Sequence, residues 1–191
     1  MSETGSVWRV CGIAGSLRQS SYNRAILQAA KELAPEGLAI KIFDGLGEVP
    51  LFNQDVEASG DPTGVASLKE AIRDADALLI ATPEYNAGVP GVLKNAIDWA
   101  SRKGTQSASV LRGMPAAVLG ASPGRLGTAR AQPQLRQALE SAGVVVMSKP
   151  EVHLMNISGQ VTDGVLADET ARRVIASLME AFAHWIPRIQ T

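Results

Sequence analysis

Residues 7–23, VWRVCGIAGSLRQSSYN, decide the fold prediction because an apolar segment stops at a glycine and a loop rich in hydroxyl groups follows it. The β-branched, mostly apolar segment 7–14 predicts a buried strand, in which Cys11 is a small core residue. Ser20 or Ser21 can cap the helix that follows, and Pro-Glu-Gly at 35–37 ends it. The apolar face of that helix comprises Ile26, Leu27, Ala30, Leu33 and Ala34.

The alternation of strand and helix continues along the chain. Alternating residues 38–43 predict a strand near a sheet edge, whereas the unbroken apolar runs 77–82 and 115–121 are typical of central strands. A last strand region is predicted over 144–147 and 151–154, bent at Pro150, and a long loop over 44–63. Further helices are predicted at 64–75, 91–102, 129–142 and 168–185.

This order of elements predicts an α/β fold, since alternating strands and helices specify a parallel sheet covered by helices on both faces. We expect a flavodoxin-like three-layer α/β/α sandwich with a five-stranded parallel sheet in the order 2-1-3-4-5. Because domains usually contain about 100–200 residues, residues 1–191 are expected to form a single domain.

Composition excludes several classes of protein. The formal net charge is −1 and no basic stripe occurs, so a nucleic-acid partner is not expected. Cys11 is the single cysteine, which excludes an internal disulfide framework and CxxC motifs for zinc or dithiol chemistry. The sequence shows neither a secretory signal nor a run of apolar residues long enough to cross a membrane, so a cytoplasmic protein without a membrane partner is expected.

Three loops are expected where ligands bind in open α/β sheets, beyond the carboxyl ends of the strands. The first, 15–23, carries three serine hydroxyl groups, the Arg18 guanidinium and the Asn23 amide ahead of a helix N-terminus. Free backbone N–H groups and the helix dipole favour anions there, so this donor-rich cup suits a terminal phosphate. The alternative interpretation is a capped helix with one solvated arginine.

Other phosphate motifs do not match. A P-loop requires a Gly-Lys pair, which is absent from the chain, and no GxGxxG fingerprint follows the first strand. Asp44 stands where a ribose-binding acid would be found, but it is interpreted as a turn former.

The second loop, 83–90, is stiffened by a proline at each end and contains Tyr85, which offers an aromatic face. Its glycines allow close approach of a flat ligand, and the backbone at 84–86 can hydrogen-bond a heteroaromatic edge. An ordinary Pro/Gly loop is the alternative interpretation.

The third loop, 122–128, begins within Gly-Ala-Ser-Pro-Gly at 120–124, which matches the GxSxG nucleophile elbow of hydrolases. In that elbow the residue after the serine donates an N–H group to the oxyanion hole, and Pro123 has none. His153 or His184 would have to act as the base. The sequence therefore disfavours a Ser122 hydrolase.

Taken together, these segments resemble the NADPH-dependent FMN reductase family, in its chromate/quinone reductase branch. The matching segments are 15–23 (GSLRxxSxN), 82–86 (TPEYN) and 90–99 (PGxLKNAIDW), with weaker support from 127–136 (GxxRAQxxLR). The similarity extends from about residue 7 to residue 150. Relatives often carry serine where this chain has Gly88.

The resemblance implies a flavodoxin-like fold that binds FMN without a covalent link. NADPH or NADH would give hydride to FMN, and a quinone or another small acceptor (azo, nitro, chromate or ferric) would then take its place in a ping-pong exchange. Family members form dimers or tetramers. The implied contacts are Ser16, Arg18, Ser21 and Asn23 at the phosphate, Pro83, Glu84, Tyr85 and Asn86 along the isoalloxazine ring, and Ser122 and Gly124 on its far side or along the ribityl chain.

No catalytic side chain and no metal are predicted, because the cofactor carries the redox chemistry and the protein positions it. The alternative from another functional class is a flavodoxin-type FMN electron carrier that does not oxidise NAD(P)H. Such carriers tend to be markedly acidic, and a net charge of −1 disfavours that alternative.

Overall fold

The computed structural model describes residues 7–104 and 106–190. Its main sheet has the strand order β2-β1-β3-β4-β5, and every neighbouring pair in it is parallel. The strands are β1 (Trp8–Ala14), β2 (Leu38–Phe43), β3 (Ala77–Ala81), β4 (Pro115–Ala121) and β5 (Val145–Val146). The predicted flavodoxin-like order 2-1-3-4-5 is confirmed.

The fifth position of the sheet is divided between two short strands. β5 pairs with the start of β4, and β6 (Val152–Leu154) pairs with the end of β4. The predicted interruption at Pro150 lies between them. Two side chains of the helix at residues 131–141 hydrogen-bond carbonyl groups in and beside the segment between β5 and β6. Gln132 donates to Val152 O at 2.8 Å, and Arg136 donates to Met147 O at 2.7 Å.

Helices cover both faces of the sheet. α1 (Tyr22–Glu32) and α6 (Glu169–Ile189) pack on one face. The other face carries α3 (Thr63–Arg73), α4 (Gly91–Ala100) and α5 (Ala131–Ser141). The pleat of β1 separates the two cores, because Val10 belongs to the first and Cys11 to the second. Burial raises the pKa of the Cys11 thiol to about 12, which fits the predicted core role.

Three parts of the secondary-structure prediction need correction. The segment predicted as one loop over 44–63 contains a 3-10 turn (Gly45–Glu48) and a helix, α2 (Gln54–Ala58). α2 buries no residue, so it has no apolar periodicity to reveal it. A small antiparallel hairpin, β7 (Val161–Thr162) and β8 (Val165–Leu166), was not predicted, because its strands have two residues each. The last helix continues to residue 189 rather than 185, since Ile186 is fully buried.

Within the described part of the chain, no helix is long and apolar enough to cross a membrane.

Candidate functional site

The three predicted loops meet at the carboxyl edge of the sheet and are joined by side chains. We name them by their flanking elements: the β1–α1 loop (15–21), the β3–α4 loop (82–90) and the β4–α5 loop (122–130). Ser16 Oγ of the first lies 3.1 Å from the hydroxyl oxygen of Tyr85 in the second. Glu84 of the second accepts a hydrogen bond from the backbone N–H of Arg130 in the third at 2.9 Å. The three loops therefore adjoin at the carboxyl edge of the sheet, as the strand order predicts.

The β1–α1 loop presents hydrogen-bond donors at a helix N-terminus. Ser21 is the N-cap of α1, and its hydroxyl oxygen accepts from Arg24 N at 3.3 Å. The first amides of the helix, at Tyr22 and Asn23, have no intrahelical acceptor. The Arg18 guanidinium donates to Ser20 Oγ at 3.2 Å and lies over the Tyr22 ring at 5.0 Å. Hydroxyl groups, free amides and a guanidinium are thus gathered where an anion is favoured.

Asn23 has a different position from the other members of the predicted cup. Its residue is 3% exposed, and its amide makes two hydrogen bonds of 3.0 Å to the backbone N–H and C=O of Ala121. The hydrogen bonds between β3 and β4 end with the one from Thr82 N to Leu119 O. Beyond it, the Asn23 amide replaces β3 as the hydrogen-bond partner of the β4 backbone at Ala121. Asn23 therefore fastens the N-terminus of α1 to the end of β4.

The β3–α4 loop contains a tight turn that displays Tyr85. Tyr85 and Gly88 exchange backbone hydrogen bonds of 3.1 and 3.0 Å. Asn86 and Ala87 between them have φ angles of 50° and 64°, the arrangement of a type I′ turn. Gln134 donates to Ala87 O at 2.9 Å and braces the turn, and Tyr85 remains 51% exposed. A Cβ on Gly88 would lie 3.3 Å from Gln134 Oε1, so a serine there requires only a small shift of that side chain.

The Glu84 side chain caps the N-terminus of α5. Its carboxylate accepts from Arg130 N, from Ala131 N at 3.1 Å and from Arg130 Nε at 2.8 Å. Burial alone would raise the pKa of Glu84, but the hydrogen bonds from Arg130 and Ala131 outweigh it and lower that pKa below its ordinary value. The carboxylate thus stays ionised and joins two loops, and only the backbone of Glu84 is left to meet a ligand.

The β4–α5 loop explains the false resemblance to a nucleophile elbow. Ser122 Oγ accepts from Gly124 N at 3.2 Å, which closes a small turn rather than activating the hydroxyl group. In the described residues neither imidazole hydrogen-bonds Ser122: His184 bonds the Glu180 carbonyl at 2.8 Å, and His153 Nε2 lies 3.4 Å from Glu151. Without a base, the hydrolase alternative has no support.

Gly120, the first glycine of that motif, is required by packing. A Cβ at this position would overlap the Thr128 hydroxyl group and would lie 2.5 Å from the Thr82 carbonyl oxygen. The glycine therefore lets the ends of β3 and β4 approach the start of the third loop.

Two residues of the 90–99 motif hold residues 50–52, which lie between the 3-10 turn and α2. Asn95 Nδ2 and Trp99 Nε1 both donate to Pro50 O, at 2.9 and 2.8 Å, and Phe52 N donates to Asn95 Oδ1 at 2.8 Å. The Phe52 ring meets Trp99 edge to face at 4.9 Å. The sequence analysis includes Trp99 in a predicted helix and in the family motif but assigns no partner to its indole. The indole N–H, which needs a partner when it is buried, was the signal for this clamp.

A cavity of about 410 Å³ lies between the β1–α1 loop and the end of β2. Ser16, Arg18, Arg24 and Asp44 are among its lining residues. Arg24 and Asp44 form an ion pair of 2.5 Å in its wall. The sequence predicts Asp44 as a turn former. Asp44 does precede the 3-10 turn, but its carboxylate makes no capping bond and instead pairs with Arg24.

The fold and the site together define a flavodoxin-like α/β protein with a donor-rich loop at the carboxyl end of its first strand. The model of the NADPH-dependent FMN reductase family matches residues 8–159. The chain therefore belongs to that family of oxidoreductases.

Individual relatives resemble the chain over nearly its whole length. An NAD(P)H-dependent FMN reductase of Pseudomonas aeruginosa is 50% identical over 183 residues, which cover 95% of this chain and 97% of that protein. A quinone reductase of Pseudomonas putida is 40% identical over 94% of this chain and 95% of its own. Among solved structures, FerB, a flavoenzyme NAD(P)H:(acceptor) oxidoreductase from Paracoccus denitrificans, superposes with a TM-score of 0.85 at 37% identity, covering 95% of this chain and 98% of that one.

Proposed function

We propose that the protein binds FMN at the carboxyl edge of its sheet and uses NADPH or NADH to reduce a quinone or a related small acceptor. The donor set of the β1–α1 loop, in a chain of this family, is the observation that carries the proposal. When bound, FMN would supply the redox chemistry, namely hydride transfer from the nicotinamide and the passage of two electrons, with protons, to the quinone.

The residues present fit the phosphate end of FMN. Ser16, Arg18 and Ser21 offer hydroxyl and guanidinium donors beside the free amides at the start of α1, and a phosphate dianion is an acceptor without donors of its own. We propose these three as the phosphate contacts. Asn23 enters the proposal as the residue that holds the cup against β4, since its amide is already bonded to Ala121.

The other two loops fit a flat ring and its polyol chain. Tyr85 would border the isoalloxazine ring, with the backbone of Pro83, Glu84 and Asn86 along its edge. Ser122 and Gly124 would lie on the opposite side or along the ribityl chain. The type I′ turn and the Glu84 cap fix the backbone of both loops before a ligand arrives, which lowers the entropic cost of binding.

Exposed apolar side chains surround the site and support both an open-faced acceptor site and self-association. Four loops that leave carboxyl ends of strands carry such residues, namely Leu17 (55% exposed), Tyr85 (51%), Leu126 (53%) and Met155 (50%). An apolar rim suits quinones, and by the same chemistry it admits azo and nitro compounds, whereas chromate and ferric chelates would need only access to the flavin.

We propose a homodimer or homotetramer in which a second copy covers part of this rim, which sedimentation equilibrium would test.

An anaerobic absorption spectrum of the FMN-loaded protein tests the function. Flavin bands that bleach on addition of NADPH or NADH, and return on addition of a quinone, are expected. Bands that persist would favour the flavodoxin-type carrier, and a protein that cannot be loaded with FMN would overturn the assignment of all three loops. If the two half-reactions follow one another by ping-pong exchange, initial rates at several quinone concentrations give parallel double-reciprocal lines.

A further inference from the structure

The arginines at the carboxyl edge of the sheet differ in how fully they are engaged. Arg130 is paired with Glu84, and Arg24 is paired with Asp44. Arg18 bonds Ser20 within the proposed phosphate cup. Arg125 is exposed, and within residues 7–104 and 106–190 its guanidinium has no hydrogen-bond or ion-pair partner. The Arg125 guanidinium is therefore free, within the described residues, to bind a ligand.

The backbone of the loop is held in place on both sides of Arg125. Gly124 O accepts from Asn156 N at 3.2 Å, and Gly124 N donates to Ser122 Oγ at 3.2 Å. Gly127 has a φ of +57°, and a Cβ there would meet His153 at 3.2 Å, so the backbone packs closely against β6. Arg125 thus leaves a well-held backbone beside the site.

The place of Arg125 separates it from the proposed FMN phosphate contacts. β1 and β4 flank β3, so their loops leave the sheet two strand spacings apart, about 10 Å. If Arg18 at the first loop binds the FMN phosphate, Arg125 at the other loop is left for a different anionic group. Quinones are neutral, whereas a nicotinamide dinucleotide carries a pyrophosphate and, in NADPH, a 2′-phosphate. Leu126 beside it is 53% exposed and would offer an apolar contact to the adenosine half.

We infer that Arg125 binds a phosphate group of the nicotinamide dinucleotide and so sets the affinity for the reductant. The inference rests on the proposed function and names a residue for one of its substrates. A guanidinium suits this role because its planar donors can meet a phosphate in pairs.

The test compares Arg125→Ala with the wild-type protein, both loaded with FMN. We expect KM for the preferred dinucleotide to rise roughly tenfold with kcat unchanged, which is the result when an interaction common to ground and transition states is lost. Titration calorimetry with NADP⁺ and NAD⁺ gives a second readout that does not depend on turnover. Arg125→Lys should recover part of the affinity, since it keeps the charge but not the paired donors.

Arg112→Ala is the matched control. Arg112 is also exposed and without a side-chain partner in the described residues, but it precedes β4 and so lies at the opposite edge of the sheet. It should leave KM and NADP⁺ binding unchanged.

The outcomes separate the inference from the proposed function. An effect on NADPH alone assigns the 2′-phosphate to Arg125, and an effect on both dinucleotides assigns the pyrophosphate; either supports the inference. Unchanged KM and NADP⁺ affinity in Arg125→Ala, while the wild-type flavin bleaches normally, would overturn the inference alone. A weakened FMN affinity with unchanged dinucleotide affinity would also overturn it. A wild-type flavin that no dinucleotide bleaches would refute both.

Discussion

Replacing Asn23 with alanine is expected to destabilise the fold before any ligand is considered. The side chain is buried and makes two hydrogen bonds of 3.0 Å to the peptide groups of Ala121, a residue that is 1% exposed. Alanine would leave one buried N–H and one buried C=O without partners, at about 1–3 kcal/mol each, so the free energy of unfolding should fall by roughly 2–6 kcal/mol. Water entering the space left by the amide would bring the loss toward the lower value.

Urea unfolding of the FMN-free protein measures this loss without a contribution from ligand binding. Gln28→Ala is the control, because Gln28 is an exposed amide on the same helix, and among the described residues its side chain bonds only Glu32. Its change should stay within about 0.5 kcal/mol. FMN affinity of Asn23→Ala should fall as well, since the cup is no longer fastened to β4. If Asn23→Ala unfolded at the urea concentration of the wild type while FMN binding was lost, Asn23 would be a direct ligand. Its proposed role in holding α1 against β4 would then be wrong.

Two further predictions concern the loops themselves. Arg18→Ala should weaken FMN binding roughly 10- to 150-fold, the effect of one lost charge-assisted hydrogen bond, with little change in urea stability; unchanged affinity in a fluorescence titration would remove Arg18 from the phosphate site. Glu84→Gln should lower the free energy of unfolding at neutral pH, because the folded protein holds the pKa of Glu84 below its ordinary value. That contribution is fully present above the ordinary glutamate pKa of ~4.3 and is lost as the pH falls through the lower folded-state value, so the wild-type and variant stabilities should converge in acid. A difference that stayed constant down to acid pH would contradict the proposed cap.

The sheet was predictable from the sequence because its signals are local and repeated. The apolar runs at β1, β3 and β4 are long enough to bury both faces, and the alternation in β2 marks it as an edge strand. Loops at the carboxyl ends of parallel strands must meet at one edge, so the meeting of the three candidate loops could be predicted from strand order alone.

What the sequence could not supply is which partner each polar side chain selects. Glu84 lies in a motif that resembles a flavin-binding segment, yet its carboxylate caps α5, 46 residues further along the chain. Asn23 bonds a residue 98 positions away. Such pairings depend on the distance between loops after folding, and no local pattern encodes that distance. For the Ser122 motif, Pro123 alone disfavours a hydrolase, but only the folded structure shows that neither histidine is bonded to the serine.

The motifs that mark this family therefore divide into two physical roles. Asn23, Glu84 and Asn95 use their polar groups on the protein itself, where each holds a loop against a helix or strand. Arg18 and Tyr85 direct polar or aromatic groups toward the edge where a ligand is expected. Residues of the first kind should fail by unfolding and residues of the second by losing affinity, so paired measurements of stability and binding can sort the remaining motif positions. A shared motif is consequently stronger evidence for the shape of the site than for any single contact with the cofactor.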